Sequence, residues 1–303
     1  MRYIDARRDR WGVEPICRVL QFAPATYYAT KTRPLSVRAQ RDLVLRGEIE
    51  RVYAENYRVY GADKIWAQLN RQGIHVARCT VERLMREIGI QGARRGRAWR
   101  RTTIADDQLI RPRDLVDRQF RAVAPNRLWV ADLTYVKTHS GWVYVAFVID
   151  VFSRYVVGWQ VSTSLRSDLA IDALEMAIYS RRHEDLSHLI HHSDRGVQYL
   201  SIRYTERLAE AGAVASVGSR GDSYDNALAE SFNGLFKAEL IHRRGPWKSA
   251  DDLEWATLTY IDWFNNRRLH GEIGMRPPAE FETTYSRQDQ TALRAVSQTT
   301  ESL

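Results

Sequence analysis

The spacing of apolar positions along the chain changes character near residue 126. Before that point apolar residues recur at helical intervals. Residues 13–20 read as a short helix, Gln21-Phe22-Ala23 as a turn, and 24–29 as a second helix opened by Pro24 at its first position. Ile65, Trp66 and Leu69 share one face of a helix over 62–71 that Gly73 stops, and Val81, Leu84, Met85 and Ile88 mark another over 80–88. Both pairs have the pattern of a helix-turn-helix, over about 12–30 and 60–90. Residues 102–125 show no strong period and carry two prolines, which marks them as connecting chain with at most one short helix.

Beyond residue 126 the apolar runs are those of strands. They cover 127–136, 142–150 and 154–162, with turns at Ser140-Gly141 and Phe152-Ser153, and should form an antiparallel meander. A helix over 167–180, with Ser167 able to cap it, has Leu169, Ala170, Ala173, Leu174, Ala177 and Ile178 on its inner face. A strand over 188–191, a helix over 202–211 ended by Gly212, a strand over 213–217 and a long helix over 223–240 follow. This order predicts an α/β fold, a mixed sheet flanked by helices, preceded by an all-α region. The expected boundaries are a helical DNA-binding region over 1–105, a linker over 106–125, a core with a C-terminal helix over 126–285, and a tail over 286–303.

Charge sharpens this division. Residues 1–125 hold 26 lysines and arginines against 14 acidic residues, whereas residues 126–303 hold 19 against 23. The N-terminal half is therefore the candidate polyanion binder. Its densest run is Arg94-Arg95-Gly96-Arg97-Ala98-Trp99-Arg100-Arg101, which suits phosphate contact and base stacking, with a solvated linker as the structural alternative. Arg78, Arg83 and Arg86 would decorate the outer side of the second helix of a helix-turn-helix, where DNA is read; a small helical bundle that binds nothing is the other reading. Cys17 and Cys79 stand far apart with no ligand spacing around them, so a disulfide framework and a zinc site are not indicated, and a reducing cytoplasm fits. No apolar run is long enough to span a bilayer.

Three acidic residues carry the candidate chemistry. Asp132 interrupts the apolar strand Leu128-Trp129-Val130-Ala131-Asp132-Leu133-Thr134-Tyr135-Val136, Asp194 lies in His192-Ser193-Asp194-Arg195-Gly196, and Glu230 lies in Asp225-Asn226-Ala227-Leu228-Ala229-Glu230-Ser231-Phe232-Asn233. An ionised carboxylate in such a setting needs a partner, and a hard divalent cation suits three oxygen donors. Taken singly, Asp132 could be a hydrogen-bonded strand residue and Asp194 a turn aspartate. Asn226 and Asn233, at i−4 and i+3 from Glu230, could orient its carboxylate or a metal-bound water, or be ordinary surface residues. Lys237 shares a helix face with Glu230. His191 and His192 are poor magnesium ligands, so a structural or DNA-contacting role is expected of them, and core packing of the aromatic stretch 255–264.

The runs Trp129-Val130-Ala131-Asp132-Leu133-Thr134-Tyr135, His192-Ser193-Asp194-Arg195-Gly196-Val197-Gln198-Tyr199 and Tyr224-Asp225-Asn226-Ala227-Leu228-Ala229-Glu230-Ser231-Phe232 resemble the acidic-triad (DDE) signatures of bacterial insertion-sequence transposases. The likeness is to their integrase-core subunit, often called OrfB. Asp150-Val151-Phe152-Ser153-Arg154, Tyr260-Ile261-Asp262-Trp263-Phe264-Asn265, Arg268-Leu269-His270, Tyr60-Gly61 and Arg83-Leu84-Met85-Arg86-Glu87 fit the same family. Val217 and Gly218 depart from it mildly, ahead of the glutamate helix, without touching a carboxylate.

The resemblance implies a ribonuclease H-like core in which Asp132, Asp194 and Glu230 converge on two magnesium ions, with manganese as a substitute. It implies cleavage of the ends of the element, transfer of the strand to another phosphodiester, and contact of Lys237 with phosphate near the scissile bond. The partners implied are terminal inverted repeats and target DNA, further copies of the chain, and a first-frame helix-turn-helix and leucine-zipper segment, in the cytoplasm at the nucleoid. A catalytically silent DNA-binding regulator and a structure-specific nuclease with the same core are the alternatives.

Overall fold

The computed structural model describes residues 1–94, 116, 121–194, 198–199, 201–217 and 227–287. The chain begins with four short helices, α1 (Arg2–Asp5), α2 (Arg8–Trp11), α3 (Val13–Val19) and α4 (Pro24–Thr32), gathered around Ile4, Val13, Ile16, Cys17 and Tyr27. Pro24 opens α4 because its missing N–H lies where no intrahelical acceptor exists.

Three longer helices follow, α5 (Val37–Glu55), α6 (Ala62–Arg71) and α7 (Arg78–Glu87). Ser36 caps α5 by accepting from the Ala39 N–H at 3.2 Å. Gly73 and Gly89, at φ of 80° and 72°, turn the chain after α6 and α7 in a conformation that costs other residues strain. The sequence pattern did not show α5. Only Leu45, Ile49 and Val52 of its 19 residues are buried, a stripe diluted by charged neighbours.

The sheet consists of β1 (Leu128–Thr138), β2 (Gly141–Asp150), β3 (Val156–Ser162), β4 (Ile190–Ser193) and β5 (Val214–Val217), in the order β3-β2-β1-β4-β5. The first three strands form the expected antiparallel meander, and β4 and β5 run parallel to β1. This is the mixed, ribonuclease H-like sheet that the resemblance implies. β4 lies two residues beyond its expected place. Leu189 is buried but turns back to Leu186, while the strand itself runs through the polar residues His191, His192 and Ser193.

Helix α8 (Ser167–Ser180) covers one face of β2 and β3, and α9 (Ile202–Glu210) lies beside β5. A Cβ on Gly158 would stand 2.1 Å from the Ala173 carbonyl, so only glycine lets β3 approach α8 this closely. The other face carries α10 (Ala227–Phe236), which continues as a π-helical turn, Lys237–Ile241, and a last short turn α11 (His242–Arg244). The helix expected over 223–240 thus changes its winding at Lys237, and residues 223–226 lie outside the described ones. Helix α12 (Ala250–Asn266) packs Phe264 against Phe232 and Tyr260 against Phe236, and residues 278–287 are helical.

Helices α5 to α7 and the sheet share one apolar core, separate from the cluster of α1 to α4. Ile49, Tyr60 and Ile65 belong to the same cluster as Phe147, Phe236 and Trp263. Polar contacts reinforce the junction: Trp263 Nε1 donates to Asn56 Oδ1 at 3.1 Å, the Leu269 N–H donates to the Tyr60 hydroxyl at 2.7 Å, and Arg71 pairs with Glu280. Glu239, on the π turn, is held by a buried bidentate pair with Arg268 and by the Tyr260 hydroxyl, which locks α12 to the end of α10. Among the described residues no helix is long and apolar enough to cross a membrane.

Candidate active site

Strand register brings the two aspartates together. The parallel pairing of β1 with β4 ends at Ala131 opposite Ser193; Asp132 is the next residue on β1, and Asp194 directly follows the end of β4. Glu230 lies in the first turn of α10, which packs on β1. The three carboxylates feel one another. Burial above all, then repulsion from Asp194 and Glu230, pushes Asp132 up to about 8, against the pull of its hydrogen bonds. Those bonds come from the Leu133 N–H at 2.8 Å and Asn233 Nδ2 at 2.9 Å. Glu230 is raised by burial and by Asp194.

Asn233 therefore serves Asp132 and not Glu230, the residue it flanks in sequence. Its other amide atom, Oδ1, is buried with no hydrogen-bond partner among the described residues. Asn226 lies outside the described residues. Lys237 starts the π turn, half-buried, with its ammonium 4.9 Å from the centre of the Tyr135 ring. Burial lowers its pKa and the Asp132 charge opposes that shift. Among the described residues no three histidine, cysteine or acidic side chains are gathered closely enough to hold a metal ion as they stand.

The neighbouring histidines are structural. His191 and His192 are both buried in β4. His191 Nε2 lies 3.0 Å from the Tyr204 hydroxyl and His192 Nδ1 lies 2.9 Å from Ser216 Oγ. Burial, with His192 beside it, pushes His191 down to about 3 and keeps it neutral. Tyr199, which the sequence shows only as part of a motif, packs edge-on against Tyr204 with its hydroxyl buried and without a hydrogen-bond partner among the described residues. Asp150 also has a structural place. It accepts from the Asn126 and Phe152 N–H groups at 2.7 and 2.9 Å and is pushed up to about 6, mainly by burial.

The arginines singled out for DNA contact fall into two groups. Arg78 pairs with Asp63 at 3.0 Å, Arg83 with Asp42 at 3.0 Å and with Glu87 at 2.7 Å, and Arg86 with Glu82 at 3.5 Å. The Arg83–Asp42 pair, with its aspartate largely covered, ties α7 to α5, whereas the Arg86 side chain is 77% exposed. Arg94 is exposed, and Arg95, Arg97, Arg100 and Arg101 lie outside the described residues.

Comparison with known proteins gives a consistent picture. Residues 122–223 and 212–278 match models of the integrase core domain, and residues 39–98, spanning α5 to α7, match an HTH-like domain. The chain is 53% identical over 290 residues to the transposase for insertion sequence element IS629 of Shigella sonnei, covering 94% of this chain and 96% of that one. It is 49% identical over 187 residues to the transposase for insertion sequence element IS3411 of Escherichia coli, covering 60% and 77% of the two chains. Among solved structures, the HTLV-2 integrase catalytic core domain in complex with magnesium aligns with a TM-score of 0.42 and 19% identity, over 54% of this chain and 99% of that one.

Proposed function

The chain belongs to the insertion-sequence transposases that carry an integrase core, and from that premise we propose that it cuts the ends of its element and joins them to target DNA through Asp132, Asp194 and Glu230. The observation that carries the reading is the strand register that sets Asp132 beside Asp194 while α10 turns Glu230 toward them. A packed core does not call for a carboxylate raised by two acidic neighbours, as Asp132 is by Asp194 and Glu230; a site that uses negative charge does.

The donor set fits hard divalent cations, because three carboxylates are near and the two adjacent histidines point into the interior. Bound there as a pair, magnesium, or manganese in its place, would supply an activated water and charge neutralisation at the scissile phosphate. The residues of this chain hold and orient. Asn233 fixes the rotamer of Asp132, and Lys237 presents its ammonium to a phosphate beside the acidic set.

The division of labour follows the charge. Residues 1–105 would grip the terminal inverted repeats, with Arg86 and Arg94 among the exposed cations; 106–125 would connect, 126–285 would cut and join, and 286–303 would trail. Joining two ends calls for more than one copy, in the cytoplasm at the nucleoid, with a first-frame helix-turn-helix and leucine-zipper segment as a further partner. The test is incubation with labelled element ends, magnesium and a target plasmid. Nicked and joined products are expected, and Glu230→Gln should abolish both while DNA binding persists. Full strand transfer by that variant would overturn the assignment.

A further inference from the structure

Two large aromatic side chains stand exposed on the hairpin that carries Asp132. Tyr135, three residues beyond Asp132 on β1, is 40% exposed, and Trp142, at the start of β2, is 51% exposed. Tyr135 lies opposite Tyr144 in the register, so Trp142 is its diagonal neighbour, and the rings meet edge to face with centroids 5.3 Å apart. Lys237 places its ammonium 4.9 Å from the Tyr135 ring centre while the Asp132 charge acts on it. Tyr135 and Trp142 point to the face of the sheet opposite Asp132, and Lys237, at the edge of β1 beyond its pairing with β4, links the aromatic pair to the acidic set.

The hairpin that carries the pair is cationic. Residues 133–149 contain no carboxylate and include Lys137, and Lys248 lies alongside, its carbonyl accepting from Ser140 Oγ at 2.7 Å and its N–H donating to Asp252 at 3.0 Å. The hairpin is also rigid. Thr138 bridges to the buried Trp247, the His139 N–H donates to the Trp247 carbonyl at 2.9 Å, and Thr138 Oγ1 donates to the Gly141 carbonyl at 2.9 Å. Trp255 is more exposed, at 69%, yet it follows Asp251, Asp252 and Glu254 on α12, and that acidic setting repels a phosphate backbone. Exposed ring faces among cations, next to a site that works on DNA strands, favour stacking with an unpaired base.

We propose that Tyr135 and Trp142 form a platform on which an unpaired base stacks, next to the phosphate that Asp132, Asp194 and Glu230 act on. The platform rests on the transposase reading above. It would hold the cut strand by one frayed nucleotide, and it tolerates any base because every base has a π face.

The experiment uses the full chain and a forked duplex of element-end sequence with 2-aminopurine at the unpaired position beside the cleavable phosphate. The wild-type protein should quench the probe. Trp142→Leu should lose the quenching and bind the fork about tenfold more weakly, within the range that removing one base–aromatic stack gives, with fully paired duplex bound as before. Trp142→Phe should restore both readouts, which an apolar contact filled equally by leucine would not require, and Trp255→Leu should change neither. Quenching and fork affinity unchanged in Trp142→Leu would overturn the platform. So would a changed oligomeric state in that variant with fork binding intact, because the pair would then be a protein contact. Cleavage is scored separately: a wild-type protein that neither cuts nor joins ends with magnesium sinks the transposase reading, whatever the fork shows.

Discussion

At Asp132, two hydrogen bonds and two neighbouring negative charges act on one carboxylate in opposite senses, and burial sides with the charges. Its folded pKa of about 8 stands above the ordinary 3.8, so the folded chain retains a proton that the unfolded chain has released. The stability this proton carries is complete below about pH 4 and is lost as pH climbs through 8. Asp132→Asn keeps the shape without the charge. In chelator it should raise Tm at pH 8 by roughly 2–4 °C, with a smaller gain at pH 5, while cleavage is lost. Identical pH profiles of Tm for variant and wild type, measured by scanning calorimetry, would contradict this. On the acid side His191 acts the other way. Held neutral down to about pH 3, it withdraws stability as pH falls below 6.5, where the unfolded chain takes up the proton first.

At the scale of elements, the meander and α8 were legible because the meander's strands are apolar runs bounded by turns and α8 repeats its apolar positions at the helical period of 3.6. β4 was misplaced and α5 missed for related reasons. β4 buries polar residues that find partners on α9 and β5, which no local pattern announces. α5 buries so little of itself that its period is lost among charges. The close seam between β3 and α8 depends on Gly158, whose added methyl would press on the Ala173 carbonyl and the Ala177 amide. Gly158→Ala should therefore destabilise by about 1–3 kcal/mol, the usual cost of overpacking a rigid contact. Urea unfolding would show this as a lower midpoint at unchanged slope. An unchanged midpoint would mean that the seam opens more easily than its geometry implies.

Across the whole molecule, the helical unit over α5 to α7 is anchored to α12 and the chain beyond it through Asn56, Tyr60 and Arg71, so under the proposed function DNA held by one part would be presented at a set angle to the other. The excess of basic residues lies in the anchored half. A fragment of residues 1–105 should bind terminal inverted repeats by itself at low salt, and its affinity should fall steeply as salt rises. It should also unfold at a lower temperature than the intact chain, since Tyr57 and Tyr60 lose their aromatic partners on α12. Absence of binding at low salt, by fluorescence anisotropy, would remove the proposed role of this half.

What the sequence determined alone is what short-range order can encode: the helices and strands with clean periods, the asymmetry of charge, and the identity of the three acids within their motifs. Tertiary structure decided which of these residues meet. The register of β1 against β4 makes neighbours of Asp132 and Asp194, the packing of α10 assigns Asn233 to Asp132, and the diagonal across β1 and β2 pairs Tyr135 with Trp142. Such meetings depend on contacts between residues far apart along the chain, and those are set by the packing of whole elements rather than by any local spacing.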